Sequence, residues 1–411
     1  MRKLMMILVA PIFIGVLMCS WGTVLMAEKS VPELIQQLKD KDANVRESAA
    51  FSLGRLGAKE AIPELTKLLK DENADVRGSA ARALGQLGAK EAIPEITKFL
   101  KDANASVRRF AAGALGELGA TETIPEITKL LKDENARIRL TAIDTLNRLG
   151  ARETTPEITK LLKDEDAQVR LQAVCALCDL GDRETIPEIT KLLKDENARV
   201  RSAVVSILER FGAKESIPEI TKALNDKDAN VREFAARALG QLGAKKDIPE
   251  IAKLLKDEDA GVRLDAIRIL ERFGAKESIP EITKVLDDKV AFVRGDAATA
   301  LGRLGAKESI PEITKVLNDK DANVRREAVR VLGDLGDKEA IPEITKLLKD
   351  ADKYVRGWSA IALVELGARD KVPQEVIADI KPILKWISED AARARAALKE
   401  LGVEVEEEKK E

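Results

Sequence analysis

The sequence predicts an all-α protein, an α-solenoid of about twelve two-helix repeats. Twelve prolines recur at one constant interval, the interval that separates Pro32 from Pro63, and the series ends at Pro373; only Pro11 and Pro382 lie outside it. Between the prolines, two short apolar stripes at helical spacing are separated by an Asp/Asn turn and closed by a glycine. Because a fixed period of this kind is typical of repeat architectures, we expect each unit to be a helix pair that stacks on its neighbours.

The segment 1–27 differs from the repeats. Arg2 and Lys3 precede an uncharged run that ends at Ala27, and Glu28 follows it. A basic start, an apolar body and a small residue before a charged border indicate a secretory signal peptide, so we expect residues 1–27 to be cleaved and the repeats to be periplasmic or secreted. Two alternatives stay open. The run is long enough to be an N-terminal membrane anchor with the repeats outside the cytoplasm, and Cys19 could carry the lipid of a lipoprotein.

The first helix of each repeat is predicted around its proline. Glutamate follows each of the first eleven prolines, and Ser, Thr or Asp stands two residues before eight of them. Ser/Thr-x-x-Glu is a capping box, and proline is tolerated in a first helical turn because its missing N–H needs no partner there. A start one turn earlier, at the preceding Ala-Lys-Glu, remains an alternative. The apolar stripe of this helix is typified by Ile310, Ile313, Val316 and Leu317.

The second helix has clear start and stop signals. Counted from the proline, Asp stands at position 8 of all eleven full repeats, and Asp or Asn at position 10 of ten, where it can cap the helix; Val290 is the exception. Positions 13, 17, 21 and 24 are apolar or small and lie on one helical face, which predicts that they are buried. Glycine at position 25 of every full repeat fits the left-handed residue that ends a helix.

The chain beyond Pro373 departs from the pattern. Pro382 interrupts the first helix, Trp386 replaces the usual valine, and the segment 390–401 is rich in Ala, Arg and Lys. A solenoid needs an atypical end with a polar outer face. We therefore predict a solenoid over residues 28–402 with a modified C-terminal capping repeat, followed by an acidic tail at 403–411.

An aspartate and an arginine six residues apart recur in the repeats, as in Asp226 with Arg232 and Asp319 with Arg325. This spacing resembles the HEAT repeat, and the 31-residue length with phrases such as IPEITKLLKDENARVR and AARALGQLG resembles the short HEAT variety of phycobilisome bilin lyases. The resemblance implies an armadillo/HEAT-type superhelix whose second helices line the concave surface. It also implies that the arginines from Arg46 to Arg356 form a ladder with aspartates between neighbouring repeats.

The outward positions of the second helices change from repeat to repeat, whereas the first-helix exteriors hardly vary. Several of these variable positions are apolar, and an apolar patch rimmed by charge is typical of an interaction site. The candidate partner-binding residues are Phe51, Phe110, Leu140, Leu171, Phe234, Leu264, Phe292, Tyr354, Trp358 and Ile361. For Phe110, Phe234 and Trp358, packing between repeats is an equally good interpretation.

Arginines also collect on the outward side of the middle second helices. They are Arg210, Arg237, Arg268, Arg272, Arg303 and Arg330. Asp265, Asp296, Glu327 and Asp334 are close enough in sequence to neutralise many of them. We therefore expect a solvated, salt-bridged face here rather than a cationic binding site.

The composition argues against several classes of function. There is no histidine among the 411 residues, which removes the commonest general base and transition-metal ligand. Cys175 and Cys178 form a single CxxC without a second pair, a poor zinc signal. A net charge of -2 and 3% aromatic residues do not favour nucleic-acid binding. We predict no catalytic, cofactor or metal site.

The function predicted from the sequence is that of a non-enzymatic protein–protein interaction scaffold of the cell envelope. It would bind a protein partner on the concave second-helix surface and act as a monomer, contacting a membrane only if residues 1–27 remain as an anchor. The alternative, which follows from the resemblance, is a bilin lyase-like enzyme or assembly factor.

Overall fold

The computed structural model describes residues 30–385 and 388–403. Within these ranges the chain consists of α-helices and short 3-10 turns, with no strand, and the predicted all-α solenoid of helix pairs is confirmed. The predicted signal peptide, Trp386 and most of the acidic tail lie outside the described residues. The helices form two compact units, one ending at Asp182 and one beginning at Arg183.

The first unit contains five helix pairs. Its first helices are Val31–Gln37, Ile62–Leu68, Ile93–Lys98, Ile124–Lys129 and Thr155–Lys160. Its second helices are Ala43–Leu56, Ala74–Leu87, Ala105–Leu118, Ala136–Arg148 and Ala167–Asp179. Each second helix packs on the next one within the unit.

The second unit contains the remaining pairs and the modified terminal repeat. Its first helices are Ile186–Lys191, Ile217–Lys222, Ile248–Lys253, Ile279–Lys284, Ile310–Val316 and Ile341–Lys346. Its second helices are Ala198–Arg210, Ala229–Leu242, Ala260–Phe273, Ala291–Leu304, Ala322–Leu335 and Lys353–Glu365. The terminal repeat has a short helix, Ile377–Ile380, a 3-10 segment, Lys381–Lys385, and a last helix, Ser388–Glu400.

The first helices begin earlier than the capping-box prediction placed them. In the typical repeat a 3-10 turn, such as Lys214–Ser216, leads directly into the α-helix. Ser216 therefore has helical angles, φ -89° and ψ -3°, and its side chain caps no backbone N–H. Thr123 instead donates its hydroxyl hydrogen back to the Ala120 carbonyl at 2.7 Å. The capping boxes are wrong for these repeats, and the alternative start one turn earlier is correct. In the first repeat the capping box is confirmed, because the Ser30 N–H donates to the Glu33 carboxylate at 2.9 Å.

The start and stop signals of the second helices are confirmed. Asp or Asn at position 10 accepts a backbone hydrogen bond in ten repeats; Asp228, for example, accepts from Asn230 N at 3.0 Å. Val290 has an extended backbone but gives no side-chain cap. The glycines at position 25, Gly57 through Gly367, have φ between 62° and 79°, a conformation that glycine adopts without steric cost.

The core runs along the inner face of the second helices. The leucine at position 21 is fully buried in every full repeat, from Leu53 to Leu363. Leu56, at position 24 of the first repeat, contradicts its predicted burial because it is 53% exposed, whereas the equivalent Leu87 is 4% exposed. The helix Ala43–Leu56 has no second helix before it among the described residues, so Leu56 lacks the neighbour that covers Leu87.

The predicted ladder of arginines and aspartates is confirmed, but its pairing differs from the six-residue spacing that suggested it. Arg263 donates to both carboxylate oxygens of Asp288 in the next repeat, at 2.6 and 2.8 Å. Its remaining nitrogen donates to the carbonyl of Asp257, the residue six positions earlier, at 2.8 Å. Each rung therefore joins two repeats through the side-chain pair and fixes the turn of its own repeat through the carbonyl.

The same pairing recurs within both units. In the first unit the pairs are Arg46–Asp71, Arg77–Asp102, Arg108–Asp133 and Arg139–Asp164. In the second unit they are Arg201–Asp226, Arg232–Asp257, Arg263–Asp288, Arg294–Asp319, Arg325–Asp350 and Arg356–Asp379. Most of these side chains are largely covered, which is consistent with a structural role.

Candidate partner-binding surface

The predicted partner-binding residues all lie on second helices, but they differ in exposure. Phe51 and Phe292 are exposed, at 37% and 54%. Six others are half-buried, so each presents part of its side chain to solvent: Phe110, Leu140, Leu171, Phe234, Leu264 and Tyr354. Phe51 lies in the first unit and Phe292 in the second, so each unit has one exposed aromatic candidate.

Trp358 and Ile361 do not lie on the accessible surface, contrary to the prediction. Trp358 is 1% exposed and Ile361 is fully buried. The last helix, Ser388–Glu400, packs against Lys353–Glu365, and Arg393 lies over the Trp358 ring with its guanidinium carbon 4.9 Å from the ring centroid. The sequence pattern of the full repeats could not show this, because only the modified terminal repeat supplies the covering helix.

A groove of about 600 Å³ opens beside Phe292 on the outward face of the second unit. Its walls come from the second helices Ala291–Leu304 and Ala322–Leu335, with Trp358 and Asp390 at one end. Gly295 leaves room in the wall, since a Cβ atom there would meet only Glu327 Cγ, at 4.0 Å. The groove thus combines one exposed aromatic ring with polar walls.

Glu327 organises the polar wall of this groove. Its carboxylate accepts hydrogen bonds from Arg330 Nε at 3.0 Å, Arg326 at 3.0 Å and Thr299 Oγ1 at 3.3 Å. Arg330 also pairs with Asp334 at 3.7 Å. Two arginine side chains are thereby held in place beside Phe292.

Sequence reasoning found Phe292 and Arg330 but missed Arg326 and Thr299. Arg326 follows the ladder residue Arg325 directly and was therefore not distinguished from it. Thr299 has no distinguishing sequence environment. The signal that could have found them is their helical spacing from residues already selected, because Arg326 lies four residues before Arg330 and Thr299 seven after Phe292.

Most of the outward arginines of the second unit are paired with carboxylates, as predicted, whereas Arg272 donates to the Gln241 side chain at 3.0 Å. Arg237 pairs with Asp265 at 2.8 Å and Arg268 with Asp296 at 2.8 Å, in both cases across neighbouring repeats. Arg303 pairs with Glu271 at 2.5 Å. Burial raises the pKa of Asp265, although the neighbouring Arg237 acts in the opposite direction. This face is a network of paired charges.

The CxxC lies in the second helix Ala167–Asp179. Cys175 is half-buried and Cys178 is buried, and neither is in a disulfide in the part of the chain that the structure covers. Across residues 30–385 and 388–403, no cluster of three acidic or cysteine side chains is arranged to hold a metal ion. In the same ranges, no helix has the length and hydrophobicity of a membrane span.

Comparison with solved structures shows the same stacking of helix pairs in other proteins. Kap121p bound to Nup53p has a TM-score of 0.61 at 12% identity, covering 94% of this chain and 51% of that chain. Kap95p, solved with RanGDP, has a TM-score of 0.58 at 14% identity, covering 91% of this chain and 61% of that chain. The chain thus spans about half the length of the Kap121p chain. At these identities the likeness shows the fold alone.

A third solved structure is the complex of CpcE and CpcF of phycocyanin lyase from Nostoc sp. PCC7120. It shares 22% identity over 60% of this chain and 95% of that chain, with a TM-score of 0.37. The sequence matches none of the curated proteins. The family model for HEAT repeats, in contrast, matches six overlapping segments that together run from residue 31 to residue 402: 31–112, 93–167, 155–218, 201–263, 248–322 and 310–402. With its helix pairs, its arginine–aspartate ladder and these matches, the chain belongs to the HEAT-repeat family.

Proposed function

We propose that this protein is an exported, non-enzymatic scaffold that binds a partner protein on the outward face of its second helices. HEAT-repeat solenoids are typically protein-interaction scaffolds, and the karyopherin Kap121p in the comparison is bound to another protein, Nup53p. Export is proposed from the basic and apolar segment 1–27, which has the features of a secretory signal peptide.

The observation that carries the binding proposal is the exposure of Phe292 at the groove. Phe292 is 54% exposed, and transfer of its apolar surface from water into a contact with a partner would be favourable. Arg326, Arg330 and Thr299 stand beside it and are held in place by hydrogen bonds to Glu327. An aromatic anchor inside a rim of ordered polar groups is the usual composition of an energetic centre in a protein interface.

The test is site-specific photo-crosslinking in cells that export the protein. A photoreactive residue in place of Phe292 should capture a protein partner, and one in place of Lys315 should not. Lys315 lies on a first helix and pairs only loosely with Glu312, at 3.8 Å. Crosslinks from Lys315 with none from Phe292 would contradict the proposal.

Once the partner is known, Phe292→Ala should weaken binding by about 2 kcal/mol, with little loss of folding stability, because the ring has few contacts to lose. Lys315→Ala is the matched control and should leave binding unchanged. Capture of a chromophore-bearing protein would favour the assembly-factor alternative over an envelope scaffold.

The export part of the proposal has its own measurement. Mass spectrometry of the protein from the envelope or culture medium should give an N-terminus near Glu28. An intact N-terminus would indicate an anchor, a lipid on Cys19 a lipoprotein, and a purely cytoplasmic protein would refute export.

A further inference from the structure

The first unit carries a row of four arginines that the salt-bridged face of the second unit does not have. Arg55, Arg82, Arg109 and Arg137 belong to four successive repeats and stand at repeat positions 23, 19, 15 and 12, counted from the proline of each. Each step to the next repeat therefore moves the arginine back by about one helical turn, which places the four on a diagonal across four neighbouring second helices. We call these four residues the arginine row.

The arginine row is not neutralised. Within the described residues, none of its four members forms an ion pair with a carboxylate. Two acidic groups on the same helices have other partners: Glu47 accepts a hydrogen bond from Ser79 Oγ at 3.5 Å, and Asp144 pairs with Arg148 at 2.9 Å. Burial lowers the pKa of Arg109, and the charges of Arg137 and Arg82 lower it further, so like charges surround it.

Two phenylalanines hold three of the four members of the arginine row in position. The Arg82 guanidinium carbon lies 5.3 Å from the centroid of the Phe51 ring and 5.9 Å from that of Phe110. Arg55 lies 5.8 Å from Phe51, and Arg109 lies 4.3 Å from Phe110. Cation–π contacts fix guanidinium planes without consuming their N–H donors, so the charges are ordered but still available for hydrogen bonding.

A glycine makes room for this arrangement. Phe110 lies over Gly78 of the preceding repeat, where a Cβ atom would come within 2.8 Å of the phenylalanine ring. The ring is therefore seated against the backbone of the neighbouring helix and stands as a fixed support between Arg82 and Arg109. Exposed apolar surface continues beyond the row at Leu56, which is 53% exposed.

A comparison of Arg82 with its counterpart in the second unit shows which property distinguishes the arginine row. Arg237 occupies the same repeat position as Arg82 and also stacks on a phenylalanine, with its guanidinium carbon 5.0 Å from the Phe234 centroid. Arg237, however, is paired with Asp265 at 2.8 Å and with Glu233. The position and the stacking of Arg82 are thus repeated in the second unit, but the arginine there is neutralised by two carboxylates.

We infer that the arginine row of the first unit is a docking surface for an acidic, extended segment of a partner protein. The inference rests on the proposed function and names the class of partner for a second surface, distinct from the groove at Phe292. Guanidinium forks bind carboxylates through paired hydrogen bonds, and the partner's apolar side chains would cover Phe51 and Leu56.

The spacing of the row defines the sequence of such a segment. Packed helices are about 8–10 Å apart, and an extended chain in the polyproline II conformation has three residues per turn and advances about 3.1 Å per residue, so every third side chain points the same way. An acidic residue at every third position would therefore meet successive arginines. A single-stranded nucleic acid fits less well, because it binds largely by stacking its bases on open aromatic faces, and arginines already stand over both phenylalanine rings.

The experiment measures binding of fluorescent peptides to the purified mature protein. A peptide about four Glu-x-x units long, with Glu at every third position, should bind, and binding should weaken as salt rises, because exposed charges are screened. The same peptide with Gln in place of Glu should not bind, and one with its Glu residues clustered should bind more weakly. A thymidine oligonucleotide of equal length is the nucleic-acid probe.

The variant pair is Arg82→Gln with Arg109→Gln, and the matched control is Arg237→Gln. The double variant should lose about tenfold in affinity for the Glu peptide, whereas the control should keep the parental affinity. Circular dichroism of each variant verifies folding, and the Gln peptide tests the charge requirement without any change to the protein.

Three results would overturn the inference: equal binding of the Glu and Gln peptides, equal losses in the double variant and the Arg237→Gln control, or tighter binding of the oligonucleotide than of the Glu peptide. Phe292→Ala should leave peptide binding intact. Failure at the arginine row and failure of the proposed partner site at Phe292 are therefore separate outcomes.

Discussion

At the scale of single residues, the ladder arginines are the most constrained side chains in the described part of the molecule. Arg263 is 4% exposed and makes hydrogen bonds to both oxygens of Asp288 and to two main-chain carbonyls. A guanidinium with this many partners can be covered without leaving an unsatisfied donor, and loss of the guanidinium would leave Asp288 half-buried without its counter-charge.

We therefore predict that Arg263→Ala lowers the free energy of unfolding by about 1–3 kcal/mol, the cost of removing a hydrogen-bonded charge from a covered pair. Urea denaturation followed by circular dichroism measures it. The control is Arg268→Ala, because Arg268 is 59% exposed in its pair with Asp296 and should contribute less than about 1 kcal/mol. Equal effects of the two substitutions would contradict the structural role of the ladder.

The aspartates of the ladder predict an acid-sensitive fold. Burial raises the pKa of Asp288, but hydrogen bonds from Arg263 and the Val290 N–H lower it by more, so the net pKa is below its ordinary value. Asp226, Asp257, Asp319 and Asp350 have lowered pKa values with the same balance of causes. A carboxylate with a lowered folded pKa stabilises the fold above its unfolded pKa, and this contribution is lost as pH falls through the folded pKa.

We expect the urea midpoint to be steady near neutral pH and to fall below about pH 4, where unfolded aspartates begin to bind protons and the folded ones do not. Asp288→Asn should be less stable than the parent at neutral pH and should lose less on acidification. A parental midpoint unchanged down to about pH 3 would contradict the prediction.

At the scale of the element, ten of the eleven second helices of the full repeats begin at a side-chain cap, and Ala291–Leu304 alone among them lacks one. Val290 already has the extended backbone of a cap residue, with φ -104° and ψ 122°. Its side chain, however, cannot accept the N–H groups of the first helical turn.

Val290→Asp should therefore stabilise the protein by about 1 kcal/mol, since it supplies the missing acceptor without a change of backbone. Thermal unfolding of the second unit's helices is the measurement. Val290→Ala is the control, because it shortens the side chain without adding an acceptor and should give no gain. A loss of stability with Asp would mean that the half-buried valine contributes more by packing than a cap would.

A structural feature could be predicted from the sequence when the residues that cause it lie within one turn of it. Asp228 as a cap and Gly243 as a helix end could be predicted because each acts within its own turn. The failure of Ser216 to cap its helix could not be predicted in this way, because it depends on the preceding 3-10 turn, which extends the helix. The arginine row was missed because its members stand at four different positions of the repeat and align only when neighbouring helices are packed side by side.

At the scale of the whole molecule, the terminal repeat is joined to the second unit by ion pairs with carboxylates of two full repeats. Arg393 of the last helix pairs with Glu365 at 2.6 Å and with Asp334 at 2.8 Å, and covers Trp358. Burial lowers the pKa of Arg393, but Glu365 and Asp334 more than offset this effect. One side chain thus joins the last helix to the two full repeats before it.

Arg393→Ala should loosen the end of the second unit and leave the first unit unchanged, since each repeat in such an array depends mainly on its neighbours. Hydrogen exchange should become faster in Lys353–Glu365 and stay the same in Ala43–Leu56. Arg395→Ala, a change at an exposed position of the same helix, is the control. Faster exchange spread evenly over both units would show cooperativity across the chain instead.

Because the ladder pairs an arginine with an aspartate of the next repeat, it limits the lengths of chain that can be gained or lost. A typical rung joins Arg263 to Asp288 at a sequence separation of 25, and the modified end preserves the pairing, with Arg356 and Asp379 at a separation of 23. Deletion of the segment 229–259 removes one whole period. Arg201 would keep its pair with Asp226, and Arg263 would keep its pair with Asp288. Arg263 would then follow the turn at Asp226, in the place that Arg232 occupies now. The number of repeats can therefore rise or fall by recombination without leaving a buried charge unpaired, whereas a loss that is not a whole number of periods would break a rung.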